Sequence, residues 1–356
     1  MFGCSDDEES LTTSEPQLTY IPNDFFENTL VLQGLDDIMD NYVLTENISD
    51  IEEFYFSVRT SDEDINTIDF TGVEDFTSLK FLGIYYTYCT NFIPDDDTCY
   101  SSTIEDVYIE NFDISTLIDL EEIQMGIGAV NTYFENFNLS NNINLKILEV
   151  GFNSQYFILD STLDLSNNVN LEWLRGNFHT NENFGVNEVD VSNNINLKTY
   201  IVGCGSMNDI NLNNNILLES LTLGCVEGLD ELDLSNNINL TRLDLHSPIG
   251  SSIDITNLDL SNNVNLELLT IMPQYASSPG DGFLAEINLT NHPNLSYIAL
   301  ENNNLSELDV SNCNQESLTV YASGNNLSCV EVSQNQIDNG VIVYGGVGVQ
   351  ILTSCD

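Results

Sequence analysis

Nine-residue segments that closely resemble one another recur along the chain, and they constrain its fold more than any other feature. Each segment has apolar residues at alternate positions, then a triplet of the Ser-Asn-Asn type, and it ends on leucine. Successive copies start 21 to 29 residues apart. The copies begin at Phe137, Leu163, Val189, Ile210, Leu232, Leu258, Ile287 and, in degenerate form, Leu308. Such a period predicts a solenoid in which each coil buries its leucines against its neighbours.

The residues that follow each segment have the pattern of a short β-strand. After Leu145, for example, the apolar series continues at Leu148 and Val150. A spacing of two is the strand period, and the full pattern, L-x-x-L-x-L-x-x-N, is the leucine-rich-repeat signature. Weaker copies fill the N-terminal third. Strands are therefore predicted to start at residues 51, 79, 120, 145, 171, 197, 218, 240, 266, 295 and 318.

These strands predict a mostly β fold of the α/β-solenoid class, a right-handed leucine-rich-repeat solenoid of about eleven coils. The parallel strands are expected on its concave face, with extended or 3₁₀ turns rather than helices on the convex side. In the last coil we align Leu318, Tyr321 and Ser323 with the inward positions. The long gap from 79 to 120 predicts an insertion at residues 85–119.

The recurring asparagines are expected to be structural. A turning coil leaves backbone groups inside the stack, and buried backbone groups must be paired. A short amide can pair them and also tolerates the backbone of tight corners. His292 and Cys313 each replace a repeat asparagine. We expect a structural role for His292 and a free, buried thiol at Cys313.

The charge of the chain limits its partners. It has 57 acidic and 6 basic residues, a formal net charge of −51. Binding to nucleic acid phosphates needs clustered lysine and arginine, so this composition excludes that role. It also argues against direct docking on anionic lipid. A hydrophobic content of 42% still indicates a folded body. The sequence has no apolar run long enough for a transmembrane helix.

Several cysteines are placed where a disulfide would close a loop. Cys89 and Cys99 bracket a short loop of the insertion, and Cys329 and Cys355 bracket the last segment. We predict a disulfide in each pair. Cys204 and Cys225 occupy the same position in successive coils, which fits either a disulfide or an unbonded cysteine ladder.

Both the N-terminal region and the repeats resemble a known family. Cys4, followed by Ser5, Asp6, Asp7, Glu8 and Glu9, resembles the acylated cysteine and acidic export signal of Bacteroidetes-type surface lipoproteins. Tyr20–Ser49, with its aromatic, proline and aspartate-rich turn, resembles the N-terminal cap of bacterial, internalin-like leucine-rich-repeat surface proteins. The alternative for Cys4 is an ordinary N-terminus with a chance cysteine. The expected organisation is a lipid-anchored tether (1–19), an N-terminal cap (20–50), the solenoid (51–328) and a C-terminal cap (329–356).

A candidate ligand site lies on the outward positions of the strands. Aromatic and arginine side chains, which dominate binding hot spots, are predicted there at Tyr55, Phe81, Tyr85, Tyr86, Phe152, Trp173, Arg175, Phe178, Arg242 and Tyr297. We place its centre in the N-terminal half. The alternative is that these bulky groups pack sideways along the sheet and only cover it.

Nothing in the sequence predicts an enzyme, because the common nucleophile, metal and nucleotide motifs are missing. Asp95, Asp96 and Asp97 could collect calcium, but their spacing is not that of an EF-hand loop and a solvated charge run is the favoured explanation. The family resemblance implies a surface-exposed outer-membrane lipoprotein that binds a protein or a glycan. The alternative function is a structural accessory subunit of an outer-membrane transport or assembly complex.

Overall fold

The architecture was determined from a computed structural model of the protein. It describes residues 15–60, 66–93, 98–102, 104–151, 156–180, 189–203, 205–206, 210–224, 226–227, 229, 231–247, 255, 258–273 and 284–355. Cys4, Asp95, Asp96, Asp97, Phe152, Cys204 and Cys225 lie outside these residues, and for Cys89 and Cys99 only the backbone is described. The predictions made for those residues stay predictions.

The described chain is built from short strands, three short helices and one 3₁₀ turn. In chain order they are β1 (Leu18–Tyr20), α1 (Asp24–Leu32), β2 (Tyr42–Leu44), α2 (Thr45–Ile48), β3 (Glu53–Thr60), β4 (Thr67–Asp69), a 3₁₀ turn (Val73–Asp75), β5 (Phe81–Ile93), β6 (Thr98–Ser102), β7 (Ile104–Glu110), β8 (Glu122–Ile127), β9 (Ala129–Phe134), β10 (Ile147–Val150), β11 (Tyr156–Leu159), β12 (Trp173–Gly176), β13 (Phe178–Thr180), β14 (Thr199–Val202), β15 (Gly205–Ser206), β16 (Ser220–Gly224), β17 (Val226–Glu227), β18 (Arg242–Ser247), β19 (Leu268–Pro273), β20 (Tyr297–Ala299), β21 (Thr319–Tyr321), β22 (Cys329–Glu331), α3 (Gln334–Asp338), β23 (Ile342–Tyr344) and β24 (Gln350–Leu352).

One long parallel sheet, called here the main sheet, runs the length of the molecule. Its order is β3-β5-β8-β10-β12-β14-β16-β18-β19-β20-β21-β23, with β6 pairing antiparallel to β5. The predicted solenoid is confirmed, because a main-sheet strand follows each of the eleven predicted starting points. The sheet also contains β23, a strand that the sequence analysis had assigned to the C-terminal cap.

Successive side chains of each strand point alternately into the core and toward the surface. In β10, Leu148 and Val150 are fully buried, whereas Ile147 and Glu149 between them are partly exposed. The parallel register places Leu148 beside Ile123 of β8 and Leu174 of β12. Apolar side chains, mostly leucine and isoleucine, therefore stack on one another from coil to coil, and this continuous stack forms the hydrophobic core.

A second parallel sheet, with order β4-β7-β9-β11-β13, lines the return side of the N-terminal coils. The sequence analysis expected only short extended or 3₁₀ turns there. The strands form because the chain turns a corner after the main sheet and still has several apolar residues to bury before the next turn. Phe134 and Phe157 of neighbouring coils stack here with ring centroids 5.5 Å apart.

A ladder of buried asparagines joins the turns on the return side. Asn168 is fully buried, and its side-chain amide donates to the carbonyls of Leu139 (3.0 Å) and Asn142 (2.9 Å) in the preceding coil. The same arrangement recurs at Asn142, Asn194, Asn215, Asn237 and Asn263. The structural role predicted for these residues is thus confirmed.

The ladder is weaker where His292 replaces asparagine. The Nε2 atom of His292 lies 3.0 Å from the Leu260 carbonyl, and within the described structure this is the one side-chain bond that joins the two turns here. A groove of about 490 Å³ opens between them, lined by residues of both coils. On the opposite side, the backbone amide of Ser296 still donates to Glu267. The Asn303 side-chain amide also donates to the Ile271 carbonyl at 2.7 Å, so these coils are bonded more closely around the sheet than at the turns.

Each end of the solenoid has a different cap. At the N-terminus, Asn23 caps α1, and Phe26 packs against Phe54 of β3 with ring centroids 5.7 Å apart. At the C-terminus, the predicted disulfide between Cys329 and Cys355 is confirmed, with Cα atoms 5.8 Å apart. Cys313 is confirmed as a free, buried thiol, and burial raises its pKa to about 12.

The inward positions of the last repeat differ from those predicted. Val320 and Ala322 are buried, whereas Tyr321 points outward. The reason is that this coil has one residue fewer between Leu318 and its strand than the consensus, so every later side chain changes face.

Within the described part of the chain, no helix has the length and apolar character needed to cross a bilayer.

Candidate functional site

The outer face of the main sheet is the surface on which the sequence analysis placed a ligand site. Two rows of outward side chains follow from the strand register. The first row is Glu53, Phe81, Glu122, Ile147, Trp173, Thr199, Ser220, Arg242, Leu268, Tyr297, Thr319 and Ile342. The second row is Tyr55, Gly83, Gln124, Glu149, Arg175, Ile201, Thr222, Asp244, Thr270, Ala299, Tyr321 and Tyr344.

Aromatic side chains group at the N-terminal end of this face. Tyr55 is 47% exposed, and its ring centroid lies 4.7 Å from that of Phe81. Tyr85 lies further along β5, where its hydroxyl donates to Gln124 Oε1 at 2.8 Å. Burial raises the pKa of Tyr85, which keeps the phenol protonated as a donor. The structure therefore places these three rings together on the outer face.

Trp173 and Arg175 lie on β12, three coils beyond β5. Trp173 is 36% exposed and lies beside Ile147 and Thr199 in the first row. Arg175 Nη1 is 3.0 Å from Glu149 Oε1, and both side chains are partly buried. This pair lies in the second row, and Arg175 follows Trp173 by two residues on the same face of β12. We call Tyr55, Phe81, Tyr85, Ile147, Trp173 and Arg175 the N-terminal patch.

Two predicted site residues do not belong to the outer face. Tyr86 is 1% exposed, because the alternation of β5 turns it inward with Leu82 and Ile84. Phe178 is 5% exposed, because the chain has already turned the corner and Phe178 lies in the second sheet, under Gly176. Both side chains are core, and they are removed from the candidate site.

Arg242 lies in the C-terminal half of the outer face, apart from the N-terminal patch. Its Nε is 2.5 Å from Oδ2 of Asp244, a residue that is almost completely buried. His246 follows on the same strand, and burial lowers its pKa against the opposing effect of Asp244. The cluster is an internally neutralised part of the sheet.

A row of alternating charges, missed by the sequence analysis, borders the first row. Its members are Glu52, Lys80, Glu121, Lys146, Glu172, Lys198 and Glu219, one from each successive coil. Each lysine forms an ion pair with the glutamate of the preceding coil, at 2.7, 2.6 and 2.6 Å. Aligning the residue after each strand-initiating leucine would have revealed it. All three lysines of the chain are used in this row.

A column of tyrosines at the C-terminal end was also largely missed. Tyr297 was predicted, but Tyr321 lies 5.7 Å from it and Tyr344 lies 4.8 Å from Tyr321, measured between ring centroids. Tyr321 was assigned inward by the wrong alignment of the last repeat. Tyr344 lay in the segment assigned to the cap. The outer face thus carries aromatic groups at both ends.

The described residues contain no cluster of three or more histidine, cysteine, aspartate or glutamate side chains arranged to hold a metal ion. The groove beside His292 lies on the return side and is lined mainly by polar residues, including Asp259, Glu286 and Glu307. It lies at the turns, away from the outer face of the main sheet.

Comparison with known proteins identifies the fold. No protein-family model matches the chain, and no curated protein matches it. Among solved structures it is similar to the functional domain of InlJ from Listeria monocytogenes, which includes a cysteine ladder (TM-score 0.59, 17% identity, 94% of this chain and 73% of that chain). It is also similar to the internalin InlF from Listeria monocytogenes (TM-score 0.53, 15% identity, 95% and 96%). The protein therefore has a leucine-rich-repeat solenoid fold of the kind seen in internalins.

Proposed function

We propose that this protein is a binding module that holds a protein ligand on the outer face of its main sheet. The observation that carries the proposal is the N-terminal patch. Aromatic and apolar groups share one face in a chain with a net charge of −51. Solvent-exposed apolar clusters of this kind mark interaction sites, and tryptophan, tyrosine and arginine are the usual anchors.

The charges around the patch favour a ligand with basic side chains. Every lysine and arginine whose side chain the structure describes is ion-paired with a carboxylate of the same sheet. Glu53 and Glu122, in contrast, remain partly or fully exposed in the first row. The strongly negative body would also accelerate the approach of a basic ligand. The ligand therefore combines apolar groups for the rings with cations for the carboxylates.

The proposal includes a location on the cell surface. The Cys329–Cys355 disulfide supports an oxidising, extracytoplasmic compartment. Acylation of Cys4, proposed from the sequence alone, would anchor the protein to the outer membrane. Replacing Cys4 by serine in the full-length precursor should then release the protein from the membrane fraction. Unchanged fractionation would rule out this anchor.

The binding function is tested by using the protein to capture ligands from detergent-solubilised outer membranes and then by probing a glycan array with it. Trp173→Ala and Tyr55→Ala remove anchors of the patch, and each is expected to weaken capture about thirtyfold, or about 2 kcal/mol. Ile238→Ala is the matched control, because Ile238 is comparably exposed but lies on a turn of the return side.

The outcomes separate the possible functions. A captured protein that is lost with both patch variants and retained by the control supports the proposal. Capture of a glycan with the same dependence would change the ligand class but keep the site. Equal capture by all variants would refute the site. Co-purification with a membrane barrel that survives both substitutions would favour the accessory-subunit function.

A further inference from the structure

The main sheet has two edges, and only one of them is covered. At the N-terminal edge, α1 lies against β3, and Gln33 Nε2 donates to the Tyr55 carbonyl at 2.8 Å. At the C-terminal edge, β23 pairs with β21, and no other strand of the described chain pairs with its far side. Unpaired edge strands readily pair with a strand from another chain.

The backbone of β23 presents hydrogen-bonding groups at this open edge. Ile342 N donates to the Leu318 carbonyl, and the Tyr344 carbonyl accepts from Ala322 N, both at 3.0 Å. Because successive residues of a strand direct their backbone groups to opposite sides, the N–H and C=O of Val343 between them face outward. A second strand could bind here without disturbing the existing ladder.

The side chains around this edge are unusually apolar and exposed. Ile342, Tyr344, Ile351 and Leu352 are each at least 40% exposed, and Val347 is fully exposed in a turn held by Gly346 and Gly348, which both have positive φ. We call Ile342, Val343, Tyr344, Val347, Ile351 and Leu352 the end face. Exposed apolar patches on an otherwise soluble body are typical of interaction surfaces.

The end face is also uncharged, in contrast to the rest of the protein. Residues 339–355 contain no charged side chain, although the chain as a whole has a net charge of −51. The exposed apolar residues of the N-terminal cap are different, because Leu32 and Ile38 lie close in sequence to Asp36, Asp37 and Asp40. Among the described residues, the C-terminal end is where exposed apolar groups and an open edge of the main sheet occur together without local charge.

We propose that the end face binds the end face of a second copy of this protein, with the two β23 strands antiparallel about a two-fold axis. The charge distribution favours this partner. Two chains with a net charge of −51 can approach closely only through uncharged surfaces, and end-to-end contact keeps their acidic bodies furthest apart. A basic partner would be attracted to the acidic sides instead.

The geometry also sets the size of the assembly. A two-fold contact uses the same surface on both copies and therefore closes on itself. Growth beyond two copies would need a second open edge, and α1 covers the N-terminal one. The product is a closed dimer in which one continuous sheet runs through both molecules.

Sedimentation velocity of the full chain at several protein and salt concentrations tests this proposal. The wild-type protein should dimerise, and its dimer should tighten as salt increases, because salt screens repulsion between the acidic bodies. Val347→Asp puts a charge into the contact without removing packed atoms, and it should raise the dissociation constant at least about tenfold. Ile238→Asp adds the same charge at an exposed site on the return side and should leave the constant unchanged.

Each alternative result would overturn the proposal. A wild-type protein that stays monomeric under all conditions has no such contact. A dimer that salt dissociates is held by ion pairs rather than by the end face. A dimer that Val347→Asp leaves intact, or that Ile238→Asp weakens equally, is formed elsewhere or responds only to total charge.

Discussion

Lys146 lies one coil after Glu121, and its Nζ atom is 2.6 Å from Glu121 Oε2. Lys80 and Lys198 have the same relationship to the glutamates that precede them. Since consecutive coils are stacked at the spacing of paired strands, the alternation places opposite charges side by side along seven coils. In a chain with six basic residues, three are used to keep one edge of the outer face close to neutral.

Reversing the charge of one residue in this row should destabilise the fold, and the loss of stability should depend on the salt concentration. Lys146→Glu would place three carboxylates in adjacent coils, and we expect a loss of about 1 kcal/mol in the free energy of unfolding at low salt. Lys146→Met, the control, keeps the aliphatic stem and should lose less than about 0.5 kcal/mol, since exposed pairs contribute little. Urea unfolding at low and high salt measures both. A loss that does not shrink with salt would contradict the electrostatic explanation.

Replacing a buried asparagine should be much more harmful than replacing its exposed neighbour. Asn168→Ala removes two buried hydrogen bonds, and the Leu139 and Asn142 carbonyls each keep one backbone partner, so we expect a cost of about 1–3 kcal/mol. Asn167→Ala is the matched control, because the exposed Asn167 amide makes one 3.2 Å bond to the Ser140 carbonyl. We expect this substitution to lower the free energy of unfolding by less than about 1 kcal/mol. Urea denaturation distinguishes the two. Equal losses would mean that the ladder does not hold the coils together.

Reducing the Cys329–Cys355 disulfide should loosen the C-terminal end selectively. The bond spans a sequence separation of 26 residues, for which loop-closure entropy gives about 3–4 kcal/mol. We expect amide hydrogen exchange to accelerate in β23 and β24 and to stay unchanged in β10 and β12. A Cys329→Ser/Cys355→Ser variant should behave like the reduced protein. Uniform acceleration along the whole chain would instead indicate a single cooperative unit.

His246 should make the protein less stable as the pH falls below about 6.5. Burial lowers the pKa of His246 in the folded state, so the folded protein binds its proton less readily than the unfolded chain. The neutral His246 ring therefore contributes stability at pH values above its pKa in the unfolded chain. This contribution is lost as the pH falls through the lower pKa that His246 has in the folded protein. His246→Gln should remove this part of the pH dependence. Urea midpoints between pH 5 and 7 that fall equally in both proteins would refute the assignment.

The sequence was most informative where the repeat is regular. The spacing of Leu145, Leu148 and Val150 reports directly on inward positions, because the strand period is fixed by backbone geometry. The buried role of Asn168 followed in the same way, from the need to pair backbone groups inside the stack. Position in the repeat therefore predicted burial for most of the main sheet.

Errors arose where the chain changes direction or the repeat changes length. Phe178 is aromatic, as residues of binding sites often are, but it follows a corner of the chain after Gly176. No local feature of the sequence shows where that corner lies. Tyr321 was turned to the wrong side because the last repeat is one residue shorter. Tyr344 was missed because β23 lacks leucines and joins the sheet only through tertiary pairing. Sequence pattern does not determine which outward residues then meet across coils.

The joint at His292 has a consequence for how the solenoid would respond to mechanical load. Its two coils are bonded along the sheet by Ser296 and Glu267 and beyond the sheet by Asn303, whose side-chain amide donates to the Ile271 carbonyl, whereas among the described residues their turns are linked by His292 alone, beside the groove. Such a joint bends more easily than it stretches, with the strand pair β19–β20 as the axis. Bending at this hinge would widen or narrow the groove and would leave the asparagine-bonded turns before it unchanged.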